Sequence, residues 1–239
     1  MGQNYAIILA GGRGIRLNAA APKQFLPLGG RPVILWSLET FNAIKEIDHI
    51  LVVVPADCMS LTEQLLASRS IDKILKIIPG GITRQESSYR ALESCDFDED
   101  DILLIHDAAR PFISAETIRK CLAETARTGA TGVYIPSRDT VALIENGAIG
   151  TIPAREKTYC AQTPQGFRYS VIRKAHDLAL RGDRPATDDI GMAINAGIRV
   201  TFVEGEDANF KITTDLDYTL ACHLADDKKQ GPLTRRNTQ

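Results

Sequence analysis

The sequence predicts an α/β fold with a mostly parallel sheet and helices on both of its faces. Three observations carry that expectation. From Tyr5 to Pro136, apolar runs of strand length alternate with longer stretches of helical spacing, the pattern of a parallel sheet assembled from β-α units. Ile50–Val54 is apolar without alternation, as in a strand covered on both faces. The conspicuous polar segments, Gly11–Arg16, Gly80–Arg84 and His106–Arg110, each follow an apolar run, and ligands of such sheets bind outside the carboxyl ends of the strands.

Taken in order, Tyr5–Leu9 reads as a buried strand. Val33–Asn42 reads as a helix, because Val33, Ile34, Leu38 and Phe41 fall near helical spacing. Ile50–Val54 is a strand, Leu61–Ser68 a helix and Lys76–Ile78 a short strand. Gly80-Gly81 turns the chain into a helix over Arg84–Ser94, with Thr83 and Glu86 at capping-box spacing. Asp101–Ile105 is a strand, Ala115–Thr128 a helix and Gly132–Pro136 a strand. Val141–Pro153 breaks the alternation, with two short apolar stretches around Asn146-Gly147, the pair that favours a tight hairpin turn. A hairpin cannot bury both faces by itself, which points to an arm over about 138–160 covered by a second subunit. One domain is expected over 1–225, and the polar segment 226–239 is expected to fray.

Composition narrows the class. The chain has 239 residues, 44% of them hydrophobic, enough for a core. The net charge of −2 comes from interspersed acids and bases, which argues against a nucleic-acid-binding or membrane-binding surface. The five cysteines are scattered and lack C-x-x-C spacing, which argues against a disulfide framework or zinc site and fits a reducing cytoplasm. Neither a signal peptide nor a transmembrane segment is expected.

The opening is the strongest local signal. The run Tyr5-Ala-Ile-Ile-Leu-Ala-Gly-Gly-Arg-Gly-Ile-Arg-Leu17 drives a strand into a glycine-rich turn, and Lys23 follows in Pro22-Lys23-Gln24-Phe25. Glycines let backbone N–H groups approach a ligand and form an anion-binding concavity, and Arg16 and Lys23 add full charges there. One reading is a plain tight turn with solvated arginines. A dinucleotide fingerprint is a second, but Leu17 stands where its third glycine belongs and the first acid, Glu39, lies in a helical stretch. A polyphosphate cradle for transfer from a nucleoside triphosphate is the third, and the added cations favour it.

Asp101-Ile-Leu-Leu-Ile-His-Asp-Ala-Ala-Arg-Pro-Phe112 ends a buried strand in His106, Asp107 and Arg110. Asp107 is placed either to hold Mg²⁺ beside substrate phosphates or to cap the next turn with Arg110 paired to it. A histidine at a strand end is more often a hydrogen-bonded structural group than a catalyst. Gly80-Gly81 with Ser87 offers backbone and a hydroxyl to a flat base, or ordinary helix capping. Ser137–Thr140, Arg155, Gln162–Gln165, Thr187–Asp189 and Asn209–Thr214 are polar clusters compatible with turns or caps, and Lys211 is the best third cation for phosphates.

Eight motifs in order make the resemblance specific: Ala-Gly-Gly-x-Gly-x-Arg, Pro-Lys-Gln-Phe, Gly-Gly-x-x-Arg-x-x-Ser, His-Asp-Ala-Ala-Arg-Pro, Arg-Asp-Thr, Gln-Thr-Pro-Gln-x-Phe, Thr-Asp-Asp and Asn-x-Lys-x-Thr. From Ala6 to about Ala221 the chain resembles the cytidylyltransferases that activate polyol phosphates with CTP, the family of the 2-C-methyl-D-erythritol 4-phosphate and ribitol-5-phosphate enzymes. The resemblance implies a three-layer α/β/α Rossmann-like nucleotidyltransferase fold and a cytoplasmic homodimer. It implies that Ala10, Gly11, Gly12 and Gly14 form the nucleotide turn, that Arg16 and Lys23 hold the triphosphate, and that Lys211 assists at the α-phosphate. Gly81 and Ser87 would face cytosine, and Asp107 would hold Mg²⁺ with the phosphates. Arg110 and Thr163 would line the polyol-phosphate site, while Thr140 and Arg155 would reach the neighbouring subunit's substrate.

Within the family, Ala10-Gly11-Gly12, Ala154-Arg155 and Tyr159 lean toward ribitol enzymes, and Ala108-Ala109 toward methylerythritol enzymes. The expected reaction joins CMP to 2-C-methyl-D-erythritol 4-phosphate for isoprenoid precursors, with ribitol 5-phosphate as the alternative acceptor. Sugar-nucleotide synthesis shares only the opening motif. A non-catalytic nucleotide-binding module would not need Lys23, Lys211 and Asp107 together with Arg110 and Arg155.

Overall fold

The computed structural model describes residues 2–12, 22–182 and 186–230. Along the chain run β1 (Asn4–Leu9), β2 (Pro27–Leu28), β3 (Arg31–Pro32), α1 (Val33–Asn42), β4 (His49–Val54), α2 (Met59–Ala67), β5 (Ile74–Pro79), α3 (Arg84–Leu92), β6 (Ile102–Asp107), α4 (Ala115–Thr128), β7 (Ala130–Pro136), β8 (Leu143–Glu145), β9 (Ala148–Thr151), β10 (Tyr159–Arg168), α5 (Tyr169–Arg181), α6 (Asp189–Asn195), β11 (Thr201–Glu204) and α7 (Asp215–Gln230). The helices expected over Val33–Asn42 and Ala115–Thr128 have those bounds.

The seven-stranded sheet has the order β11-β7-β10-β6-β1-β4-β5. Its pairings are parallel except those of β10, which runs antiparallel to both β6 and β7. The mostly parallel sheet is therefore as expected, but the antiparallel insertion is not. The segment Gln162–Gln165, read as turn or cap chemistry, lies inside β10. Its polar side chains resemble those of a loop, but Gln162, Thr163 and Gln165 are buried and bonded to Glu206, His106 and Asp188.

Period-two alternation divides β1 between two cores. Ala6 and Ile8 pack with Ile34, Leu35, Leu38 and Phe41 of α1 and Ile118, Cys121 and Leu122 of α4. Tyr5, Ile7 and Leu9 pack with Ala91 and Leu92 of α3, Ile172 and Ala175 of α5 and Ile190 of α6. This is the three-layer α/β/α arrangement. Each fully buried Ile or Leu contributes about 1.5–3 kcal/mol, so the sheet's apolar strands hold their carboxyl edge rigidly. α7 covers a third cluster with Leu28, Val33, Trp36 and Phe112. It runs through Asp226 to Gln230, past the boundary expected at 225, and 231–239 lie outside the described residues.

The Asn146-Gly147 hairpin is present as β8 and β9. Asn146 has φ +53° and Gly147 φ +80°, the pair of left-handed residues that a two-residue hairpin turn requires. Every residue of both strands is exposed.

Candidate active site

Four chain segments meet at the carboxyl edge of the sheet because the ladder continues past the strand ends. Ala10 N donates to Val53 O at 2.7 Å, Gly80 N to Val54 O at 2.7 Å and Ala108 N to Leu9 O at 2.9 Å. Ile212 N then donates to Ala109 O at 2.9 Å, which brings in the loop that carries Lys211. These contacts border a cavity of about 680 Å³ lined by Ala10, Gly11, Gly12, Lys23, Gly81, Ser87, Asp107 and Lys211, among others. That size is ordinary for a small-molecule site. Gly14 and Arg16 lie outside the described residues.

The nucleotide side of the cavity is built by the turn into α3. Thr83 caps that helix by accepting from Glu86 N at 3.0 Å, and the Glu86 carboxylate reaches back to Ile82 N at 2.8 Å. Ser87 Oγ accepts from Gly81 N at 3.0 Å and donates to Thr83 O at 2.9 Å. A Cβ on Gly81 would stand 2.3 Å from Glu86 side-chain atoms, so no other residue fits without displacing the cap. The α3 N-terminus thus faces the cavity with the sign that favours an anion.

Asp107 is the only carboxylate among the described residues that line this cavity. Lys211 Nζ donates to its Oδ2 at 2.7 Å and Arg84 Nε to its Oδ1 at 3.2 Å. Burial opposes its charge, but Arg84 and Lys211 outweigh burial and hold the carboxyl far below the usual carboxylate range. Lys23 Nζ donates to Ile212 O at 3.2 Å, so the two lysine-bearing segments touch. Gln24, also in the cavity wall, is 2% exposed. Its amide oxygen and nitrogen have no hydrogen-bond partner among the described residues, nor has Arg84 Nη2.

A family model described as 2-C-methyl-D-erythritol 4-phosphate cytidylyltransferase matches residues 5–225. The chain belongs to this family. The protein of that name from Thermobifida fusca (strain YX) is 40% identical over 225 residues, covering 90% of each chain. The one from Syntrophotalea carbinolica is 38% identical over 218 residues, covering 91% of this chain and 94% of its own. The crystal structure of 4-diphosphocytidyl-2C-methyl-D-erythritol synthase from Anaerococcus prevotii superposes with a TM-score of 0.82 at 30% identity, covering 94% of this chain and 99% of its own. The chain is a cytidylyltransferase of the nucleotidyltransferase class, and the ribitol branch is not favoured. Among the described residues no helix is long and apolar enough to cross a membrane.

The remaining residues that the sequence pointed to are placed differently in this cytidylyltransferase. The Arg110 guanidinium donates to Asn209 O at 2.8 Å and Ala161 O at 3.1 Å. It forms no ion pair with Asp107, whose partners among the described residues are Arg84 and Lys211, so the capping alternative with Arg110 paired to Asp107 does not hold. Thr163 is buried, and its hydroxyl accepts from Asp107 N at 3.1 Å while donating to His106 Nδ1 at 2.9 Å. That leaves His106 Nε2–H to donate to Arg110 O at 3.1 Å. Burial pushes the His106 imidazole down to about 4, so it is a neutral structural group, as its position suggested. Thr140 and Arg155 hydrogen-bond each other at 2.9 Å at the base of the arm and do not line the cavity.

Two residues with a place in the site received no role from the sequence. Arg84 joins Asp107 to Asp189, donating Nη1 to Asp189 Oδ2 at 2.5 Å. Burial opposes both charges, yet the carboxylates hold Arg84 above its ordinary range, and Arg84 with His176 and Ser88 brings Asp189 down to about 2. Both residues stand inside quoted motifs, but nothing in the sequence tells which acid meets which arginine.

Proposed function

We propose that this chain transfers CMP from CTP to 2-C-methyl-D-erythritol 4-phosphate with release of pyrophosphate, in isoprenoid precursor synthesis. The observation that carries the proposal is the convergence of Lys23, Lys211 and Asp107 on one glycine-rimmed cavity at the carboxyl edge of the sheet, in a chain of this family. The acceptor phosphate is already a nucleophile and attacks the α-phosphorus in line, so catalysis consists of positioning and charge stabilisation. Lys23, with Arg16, would hold the triphosphate, and Lys211 would neutralise charge at the α-phosphate. Gly81 and Ser87 would meet cytosine at the α3 N-terminus. Arg110 and Thr163 would border the polyol phosphate.

Asp107 suits a Mg²⁺ ion, since that ion is held by one or two carboxylates together with substrate phosphates, and Asp107 is an ionised carboxylate in the cavity wall. When bound, the ion would neutralise charge on the phosphates. No group of three or more His, Cys, Asp or Glu side chains able to hold a metal without a ligand occurs among the described residues, so the phosphates would complete its shell. The exposed arm supports a homodimer in which Thr140 and Arg155 serve the partner's acceptor site.

Pyrophosphate release measured with CTP, ATP, GTP and UTP against both polyol phosphates tests the reading. Turnover is expected with CTP and methylerythritol phosphate and is expected to stop in EDTA. Faster turnover with ribitol 5-phosphate would move the chain to the alternative acceptor, and an EDTA-insensitive rate would remove the metal.

A further inference from the structure

We propose that Arg84 and Asp189 are positioning residues that clamp the Asp107 carboxylate, so that Lys211 is free to leave Asp107 for the phosphates of a bound nucleotide without Asp107 moving. The proposal rests on the reading of this cavity as the CTP site. Asp107 has two cationic partners of unlike character. Lys211 is a flexible ammonium whose side chain is 38% exposed, while the Arg84 side chain is 23% exposed and spans two carboxylates. A guanidinium presents its donors in a rigid fork, whereas an ammonium is a point charge on a mobile stem. Lys211 is therefore the partner suited to leave, and Arg84 the one suited to stay.

What makes Arg84 stay is Asp189, which is fully buried and rooted in three elements. Its Oδ1 accepts from Ser88 Oγ of α3 at 2.7 Å and lies 3.4 Å from His176 Nε2 of α5. Its backbone N donates to Gln165 Oε1 of β10 at 3.2 Å. The same strand holds Asp107 from the other side through Thr163. With Lys211 in place, Asp107 is hydrogen-bonded to both Lys211 and Arg84, and Arg84 is shared with Asp189. When phosphates draw Lys211 away, Asp107 keeps Arg84 as its partner and is not left as an uncompensated buried charge, which would be costly. Without Arg84, Lys211 would be the one cation hydrogen-bonded to Asp107, with Arg110 acting only at longer range, and would be held back from the phosphates.

The test separates this role from a scaffold role. Replacing a whole buried ion pair by apolar residues is often neutral for stability, whereas breaking it is not. The double variant Arg84→Met/Asp189→Leu is thus expected to melt near wild type, while kcat falls about 100-fold, the loss that misplacement of a reacting group by about 1 Å brings, with KM for CTP changed far less. Arg84→Lys, which keeps the charge and loses the fork, is expected to show the same kcat loss and serves if the double variant does not fold. Wild-type kcat in a folded double variant, or in Arg84→Lys, would overturn the clamp alone. A wild-type protein with no turnover of CTP would overturn the reading of the site and the clamp with it.

Discussion

At the carboxyl edge of the sheet, Asp107 is 8% exposed and both of its carboxylate oxygens are held by cations of the same chain. In the arm, Ile144 and Ile149 pair across the hairpin and stand 64% and 66% exposed. The site is ordered by contacts between elements far apart in sequence, and Asp107 has its counter-charges before any ligand arrives. The arm is ordered by its own turn, and its apolar residues are exposed. A lesion in the first region should therefore act through chemistry or the fold of one subunit, and a lesion in the second through association.

The largest expected effect is in the cavity. Lys23→Ala should lower turnover by roughly 10²–10³, the usual cost of one lost contact to developing charge, with an unchanged melting temperature. Near-normal turnover would detach Lys23 from the phosphates. The next test joins the two regions. If the arm crosses to a partner, inactive Lys23→Ala and Arg155→Ala proteins mixed under subunit exchange should regain up to about a quarter of wild-type activity. Half of the dimers would then be mixed, each with one intact site. No recovery despite verified exchange would place Arg155 in its own subunit's site, and a monomer by light scattering would remove the arm's partner.

A third expectation concerns the buried side of the site. His106 is held neutral by burial, with its folded value near 4 against 6.5 when unfolded. As pH falls through that window the unfolded chain takes up a proton that the folded chain refuses, so stability should drop by about 3 kcal/mol between pH 6.5 and 4 from this group. Thermal melts across that range should flatten in His106→Gln, and an equally steep variant would assign the slope to other groups. The smallest effect belongs to the turn. Gly147→Ala places a side chain at φ +80° and should cost about 1 kcal/mol, seen as weaker dimerisation with CTP affinity unchanged by calorimetry. Loss of CTP affinity would show that the two regions are not independent.

The arm's turn was legible because Asn146-Gly147 is a local instruction, satisfied by the φ values of two adjacent residues. α1 was legible for the same reason, its apolar spacing acting over a few turns of helix, and the structure shows equally local signals at the ends of α4, the Ser114 cap and the left-handed Gly129. The glycines before α3 were legible as a turn into a capped helix, and that is how Gly81, Thr83 and Ser87 are bonded. β10 was not legible. Its buried Gln162, Thr163 and Gln165 look like loop residues until the strand is inserted between β6 and β7, where their partners are.

The sequence by itself determined the β-α alternation, the hairpin and the residue types brought to the strand ends, because these depend on propensities and spacings that act over a few residues. The tertiary structure decided which charges meet: Arg84 with Asp189 across 105 positions and Lys211 with Asp107 across 104. Such pairs depend on strand order and helix placement, and no local preference encodes the distance between two side chains that only a completed sheet brings together.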